Sequence, residues 1–165
     1  MISGTRSYLF GCHSFWFHPI LVIAAWRKRF GRWPASWQIV CIFIHDIGVV
    51  GMDYLKAKDG HWVRGAELAR KLFGDKGYLF CAGHTNSSGV KRSDLFWADK
   101  GSWLIAPMWW LWLNYWIDIR HGSDCSPRRW KLLMSQNMEK DDSEDAHQLY
   151  LRERRGGNAQ QSEAE

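Results

Sequence analysis

Six residues of this 165-residue chain have the types and spacing to hold metal ions: His18, His45, Asp46, His61, His84 and Asp99. Four imidazoles and two carboxylates are a suitable donor set for two divalent first-row metals, with one carboxylate bridging. Each residue taken singly has a plainer reading. A histidine at a helix end is usually a cap or a satisfied polar contact, and Asp99 in LFWADKG can pair with Lys100 or Lys91. Jointly they are harder to dismiss. Asp46 and Asp99 both lie in strongly apolar segments, where a carboxylate without a cation is costly.

The elements that must position these residues read as helices almost throughout, with no convincing strand alternation and no internal repeat. HPILVIAAWRKRF runs to Gly31, with its basic cluster in the last turn. PASWQIVCIFIHDIG has Pro34 near a first-turn position and ends at Gly48. HWVRGAELARKLF precedes Gly74, GYLFCAGHT follows, and Ser93 is placed to cap RSDLFWADKGSW. A last helix starts near Pro107. His18 opens the first of these segments, His45 and Asp46 close the second, and His61 opens the third. His84 closes the fourth and Asp99 lies inside the fifth. The pattern predicts an all-α bundle of five to seven helices around a metal site, the way such sites are built between facing helices.

Length allows one domain with one sizeable core. Residues 1–138 form the expected body. Residues 139–165 are polar and charged and predict a poorly ordered tail that supplies no site residue. That tail holds 8 acidic and 4 basic residues, which leaves the body 18 basic against 9 acidic. A body this basic favours an anionic partner, a phosphorylated small molecule before a stable nucleic-acid complex. Cys12, Cys41, Cys81 and Cys125 show no C-x-x-C spacing, and no secretory leader is visible. Free thiols in a reducing cytoplasm are the expectation. The uncharged stretch WLIAPMWWLWLNYWI, 103–117, is too short to cross a bilayer and is interrupted by Pro107, so a buried helix over the core is expected there.

The order H…HD…H…H…D resembles the HD-domain superfamily of metal-dependent phosphohydrolases. The strings IHDIG at 44–48, H-x-x-x-G-A at 61–66, GHT at 83–85 and ADK at 98–100 carry the likeness, which spans about residues 13–105. It is similar to the dinuclear branch, which includes HD-GYP cyclic-dinucleotide phosphodiesterases and HD-type diadenosine tetraphosphate hydrolases, although the GYP motif is absent. The resemblance implies that His18, His45, Asp46 and Asp99 bind one metal. Asp46 would bridge to a second, held by His61 and His84. Iron or manganese would be the first expectation, with magnesium, cobalt, nickel or zinc also suitable. Family members often carry a lysine three residues after the HD aspartate. Here Val49 stands in that place. Lys91 and Arg92, in the loop between two ligands, are the leading substitutes, with Arg64 and Lys100 behind them.

The expected reaction is hydrolysis of a phosphoester or phosphoanhydride, in a nucleotide by preference. Two divalent ions would lower the pKa of a bridging water and neutralise phosphate oxygens. Asp46, Lys91 and Arg92 are the residues expected to serve the chemistry directly. Glu67, the one glutamate of the body, falls on the wrong face of its helix for a general acid. Trp16, Trp62 and Trp97 sit near ligands and could stack on a base, although packing is the ordinary role of such rings. Two other classes fit the same ligand order. HD-type mixed-valent diiron oxygenases activate O₂ instead of water, and a metal can also merely stabilise a non-enzymatic binding module.

Overall fold

The computed structural model describes residues 2–53, 60–117 and 126–162, with the side chains of the last segment described as far as residue 146. Among these residues the chain is all α-helical, without a strand. Eight α-helices follow in order: α1 (Ser3–Phe10), α2 (His18–Phe30), α3 (Ser36–Ile44), α4 (Trp62–Phe73), α5 (Asp75–Ala82), α6 (Asp94–Ile105), α7 (Met108–Ile117) and α8 (Pro127–Ser162). Short 3₁₀ turns lie at Ile47–Val49 and Asn86–Ser88. The count exceeds the expected five to seven because of α1 and α8, which the apolar periodicity did not announce. Cys125 lies outside the described residues, whereas Cys12, Cys41 and Cys81 are buried free thiols.

Local chemistry sets the helix ends close to where the sequence put them. Gly31 ends α2 at φ 66°, a left-handed conformation that costs glycine least. Ser93 does occupy the position before α6, but its hydroxyl donates to the Phe80 carbonyl (2.8 Å) instead of capping its own helix. It therefore ties α6 to α5.

The main core is built from one face each of α2 to α6. Val22 and Trp26 meet Cys41 and Ile42, then Ala66 and Ala69, Phe80 to Ala82, and Leu95 with Ala98. Small side chains where α4 meets α3 and α5 let these backbones approach closely. A smaller cluster gathers Ala106, Trp110 and Leu111 against Phe17, Leu21, Trp103 and Met108. Helix α7 thus covers the core with one side only. Trp110, Leu111 and Asn114 are buried, while Trp109, Trp112 and Trp116 are 59%, 42% and 55% exposed, so the expected buried helix is half-buried. Among the described residues no helix is long and apolar enough to cross a membrane.

Residue 139 marks the expected boundary between body and tail. Helix α8 starts at Pro127 and runs through that boundary without a break. Its acidic residues bind the basic face of the body: Arg29 pairs with Asp142, and Arg92 with Asp141, Asp145 and Glu144. A composition that cannot build a core alone can still dock as a charged helix.

Candidate metal centre

Backbone crossings bring the ligand-bearing elements together. His45 is the C-terminal cap of α3, and Asp46 begins the tight turn that follows. His61 is the N-terminal cap of α4, and Gly65 lies one turn along it. A Cβ on Gly65 would stand 2.2 Å from the His45 carbonyl oxygen, and one on Gly48 only 1.8 Å from the His61 carbonyl oxygen. Two reciprocal glycine contacts therefore hold the HD turn against the start of α4. Gly83 ends α5 and releases His84, while Asp99 comes from the buried face of α6 beside His18 at the start of α2.

The six ligands expected from the sequence meet in one place. Asp46 lies among them with its two oxygens turned to different imidazoles. Oδ2 is 3.4 Å from His18 Nε2 and 3.1 Å from His45 Nε2. Oδ1 is 3.7 Å from His84 Nε2 and 3.9 Å from His61 Nε2. Asp99 Oδ1 adds to the first group, 3.0 Å from His18 Nε2 and 3.9 Å from His45 Nε2. In the second group His61 Nε2 and His84 Nε2 are 3.1 Å apart. With metal–ligand bonds of about 2.0–2.2 Å, neighbouring donors around one ion lie about 3.0–3.6 Å apart, so these separations are close to those of a metal site. Two groups, His18–His45–Asp46 and Asp46–His61–His84, can each hold a metal ion.

The surroundings fit that use. His45 Nδ1 donates to the Ile42 carbonyl (2.7 Å) and His84 Nδ1 to the Cys81 carbonyl (2.5 Å). A carbonyl only accepts, so both rings carry their proton on Nδ1 and present a bare Nε2 inward when neutral, the tautomer a metal needs. His18 Nε2, His45 Nε2 and Asp46 Oδ2 are buried and make no well-aligned hydrogen bond, although ion-pair distances link them. Buried polar atoms that converge on one point are what a bound cation would satisfy.

Charge follows the same logic. Burial alone would raise the pKa of Asp46, but the facing imidazoles, His45 foremost, hold it well below the usual carboxylate range. Asp99 is lowered too, against its burial, by Lys100 and His18. Burial opposes a charge on His45, yet Asp46 and Asp99 outweigh it and lift the pKa to about 9. Burial, assisted by the His45 charge, drives His84 down to about 3. The carboxylates thus stay anionic, and a cation is the group the cluster calls for.

The expected cations fare less uniformly. Val49 is fully buried and meets no phosphate. Arg92, expected to serve the chemistry directly, instead directs its guanidinium to Asp141 Oδ1 (2.7 Å), Asp145 Oδ1 (3.1 Å) and Asn86 Oδ1 (2.9 Å). Nothing in the sequence near position 92 signals partners some fifty residues away. Lys91 is exposed, and its carbonyl packs on Gly83 beside His84. Arg64 donates to the Val50 carbonyl (2.9 Å), and Lys100 Nζ lies 3.5 Å from Asp99 Oδ2. Glu67 pairs with Arg70, as its face of the helix requires. Trp62 packs against the main core, Trp97 lies under Arg29, and Trp16 packs on Trp110.

The sequence reading missed the wall supplied by α1 and the turn after it. His13 is half-buried there, with its ring 6.4 Å from that of His18 and 6.2 Å from that of His61. Burial takes its pKa down to about 4 in spite of the Asp46 charge. Tyr8 belongs to the same wall: burial, and then Asp46, raise its pKa. Trp103 stands 6.3 Å from His18 on another side. The available signal was the string GCHSFWFH, with a second histidine five residues before His18.

No family model matches this chain, and no curated protein or solved structure matches it either.

Proposed function

We propose that this protein is a dinuclear metal-dependent phosphohydrolase of the HD-domain type, acting on a phosphoester or phosphoanhydride of a nucleotide. The observation that carries the reading is the division of Asp46, one oxygen towards His18 and His45, the other towards His61 and His84. A carboxylate so shared is suited to bridging two ions and serves less well as the partner of one. Two ions bound there would polarise a phosphoryl group and make water nucleophilic near neutral pH.

The chain's own residues do the rest. Asp46 and Asp99 supply negative charge that is already ionised and dehydrated. His45 and His84 are oriented by carbonyls three residues back, so little reorganisation is needed on binding. The first group, walled by Trp103, is the more enclosed. His61 is the least buried of the six ligands, at 13% side-chain exposure, which favours substrate approach along its side. Lys91 is the exposed cation of the adjoining loop, suited to the charge of a leaving group.

Protein purified without chelators and loaded with Mn(II) should release phosphate from some member of a panel of nucleoside mono-, di- and triphosphates and dinucleotides. Release that survives Asp46→Ala unchanged would defeat the proposal. The imidazole-rich donor set also suits two iron ions, so an O₂-activating oxygenase is the second reading. Substrate-dependent O₂ uptake without phosphate release would favour it.

A further inference from the structure

Helix α7 turns two unlike faces to its surroundings. Trp110, Leu111 and Asn114 pack inward, while Trp109, Trp112 and Trp116, spaced i, i+3 and i+7, form one outward stripe with Leu113 at its edge. The apolar surface extends beyond the helix. Phe17 holds Trp109 (ring centroids 5.7 Å apart) and Trp110 (4.5 Å), and the exposed Trp16 packs on Phe17 and Trp110. Phe15, next to Trp16 in the chain, and Ile20, one turn on, are exposed as well. Towards α8, Leu104 and Met108 share with the exposed Leu132 an open groove of about 440 Å³.

Charge borders this face without entering it. Residues 103–117 carry none. Arg128 and Lys131 line the groove, Arg129 adjoins them, and residues 126–138 contain no acidic side chain. Lys131 Nζ donates to the Ala106 carbonyl (3.2 Å), which sets its ammonium at the junction of α6 and α7. Arg128 and Arg129 are exposed.

A contiguous apolar patch rimmed by charge marks an interaction surface, and its chemistry selects the partner. Tryptophan joins an apolar ring to an N–H donor and concentrates at the boundary between water and lipid. Basic side chains beside it complement anionic headgroups. A second copy of the chain would instead bring the same cations face to face on molecules of net charge +5. At 10 residues α7 is too short to span a bilayer, but its two unlike faces suit a helix that lies along the surface. We infer that the outward face of α7, with Trp16 and the first turns of α8, seats this protein on an anionic lipid bilayer. The tryptophan rings enter at headgroup depth, and Arg128, Arg129 and Lys131 meet lipid phosphates. This docking is independent of the chemistry of the metal centre.

Co-sedimentation of the full-length protein with vesicles tests the surface. The probe is vesicles of phosphatidylcholine and phosphatidylglycerol in equal parts, with phosphatidylcholine alone for comparison. The parent should sediment with the anionic vesicles and bind the uncharged ones roughly tenfold or more weakly. Trp112→Gln/Trp116→Gln changes only outward side chains. It should keep the parent's helical circular dichroism and bind anionic vesicles roughly tenfold or more weakly than the parent. Arg128→Gln/Arg129→Gln leaves every apolar residue in place and probes the same face separately, with a loss of roughly tenfold or more. Trp33→Gln, at an exposed tryptophan beyond the far end of α2, should stay within about twofold of the parent. A parent that remains in the supernatant with anionic vesicles would overturn the inference. Parental binding by either double variant would overturn it too, since the attachment would then lie elsewhere on the chain. So would a parent that sediments as a dimer in the ultracentrifuge and becomes a monomer on Trp112→Gln/Trp116→Gln, which would assign this face to a second copy.

Discussion

Replacing Gly65 by alanine tests how the two halves of the candidate metal centre are held together. The new methyl group would stand 2.2 Å from the His45 carbonyl oxygen and 2.7 Å from that of Ile44, both backbone atoms that cannot rotate away. Helix α4 must therefore retreat by about 1 Å to restore ordinary van der Waals separation. Overpacking of this kind costs about 1–3 kcal/mol. For a chain of this length the melting temperature should fall by about 3–10 °C. The retreat also carries away His61, one turn earlier on the same backbone and already 3.9 Å from Asp46 Oδ1. Metal–ligand distances tolerate only about 0.2 Å, so the second position should lose its ion while the first keeps one. Thermal unfolding and elemental analysis of the same sample give both readouts. Gly101→Ala is the control, because its methyl group would meet only side chains, Ala25 at 3.5 Å and Met138 at 3.9 Å, and gains helix propensity. A Gly65→Ala protein with parental melting temperature and full metal content would refute the reasoning.

Other changes follow from the same geometry. His84→Ala should remove mainly one ion, and elemental analysis should read about half the parent's metal content, since Asp46 and the His18 group remain. In the metal-free protein His45 titrates near 9, above its ordinary value, so the charged pair with Asp46 is fully present below about pH 6.5 and is lost as pH rises through 9. Metal uptake at pH 7 should then displace a proton from His45, and calorimetry in buffers of different ionisation enthalpy should show that release vanish above pH 9. Arg92→Ala should leave metal content intact but loosen α8, at a cost of about 1 kcal/mol for a partly exposed network, seen as faster proteolysis in residues 127–146. Lys91→Ala, by contrast, should lower kcat/KM by roughly tenfold, about 1.4 kcal/mol, without changing metal content. Parental kcat/KM would make Lys91 a connector residue only.

The candidate ligands were legible because their chemistry is unusual for their surroundings. His45, Asp46 and Asp99 interrupt apolar segments, and helix ends near Gly31, Gly74 and Gly83 set their order in space. What the sequence could not carry was contact across distance. Gly48 and Gly65 read as motif letters, and only their reciprocal contacts with His61 and His45 explain why glycine is needed at both. His13 went unnoticed because it sits in a turn, outside any periodic segment. Arg92 was misplaced because its partners lie on α8, in a stretch whose acidic composition looks like solvated tail until the basic face of Arg29 and Arg92 is set against it. The tryptophans of α7 showed that the helix is apolar, but not that three of the four face outward.

Metal content bears most directly on the central claim, that Asp46 joins two ions in one centre. Protein prepared without chelators, saturated with Mn(II) and freed of excess, should hold two ions per chain, and its electron paramagnetic resonance should show a spin-coupled pair. Asp46→Ala should hold neither ion, because both groups share that carboxylate. One ion in the parent, or two uncoupled ions that persist in Asp46→Ala, would contradict the claim.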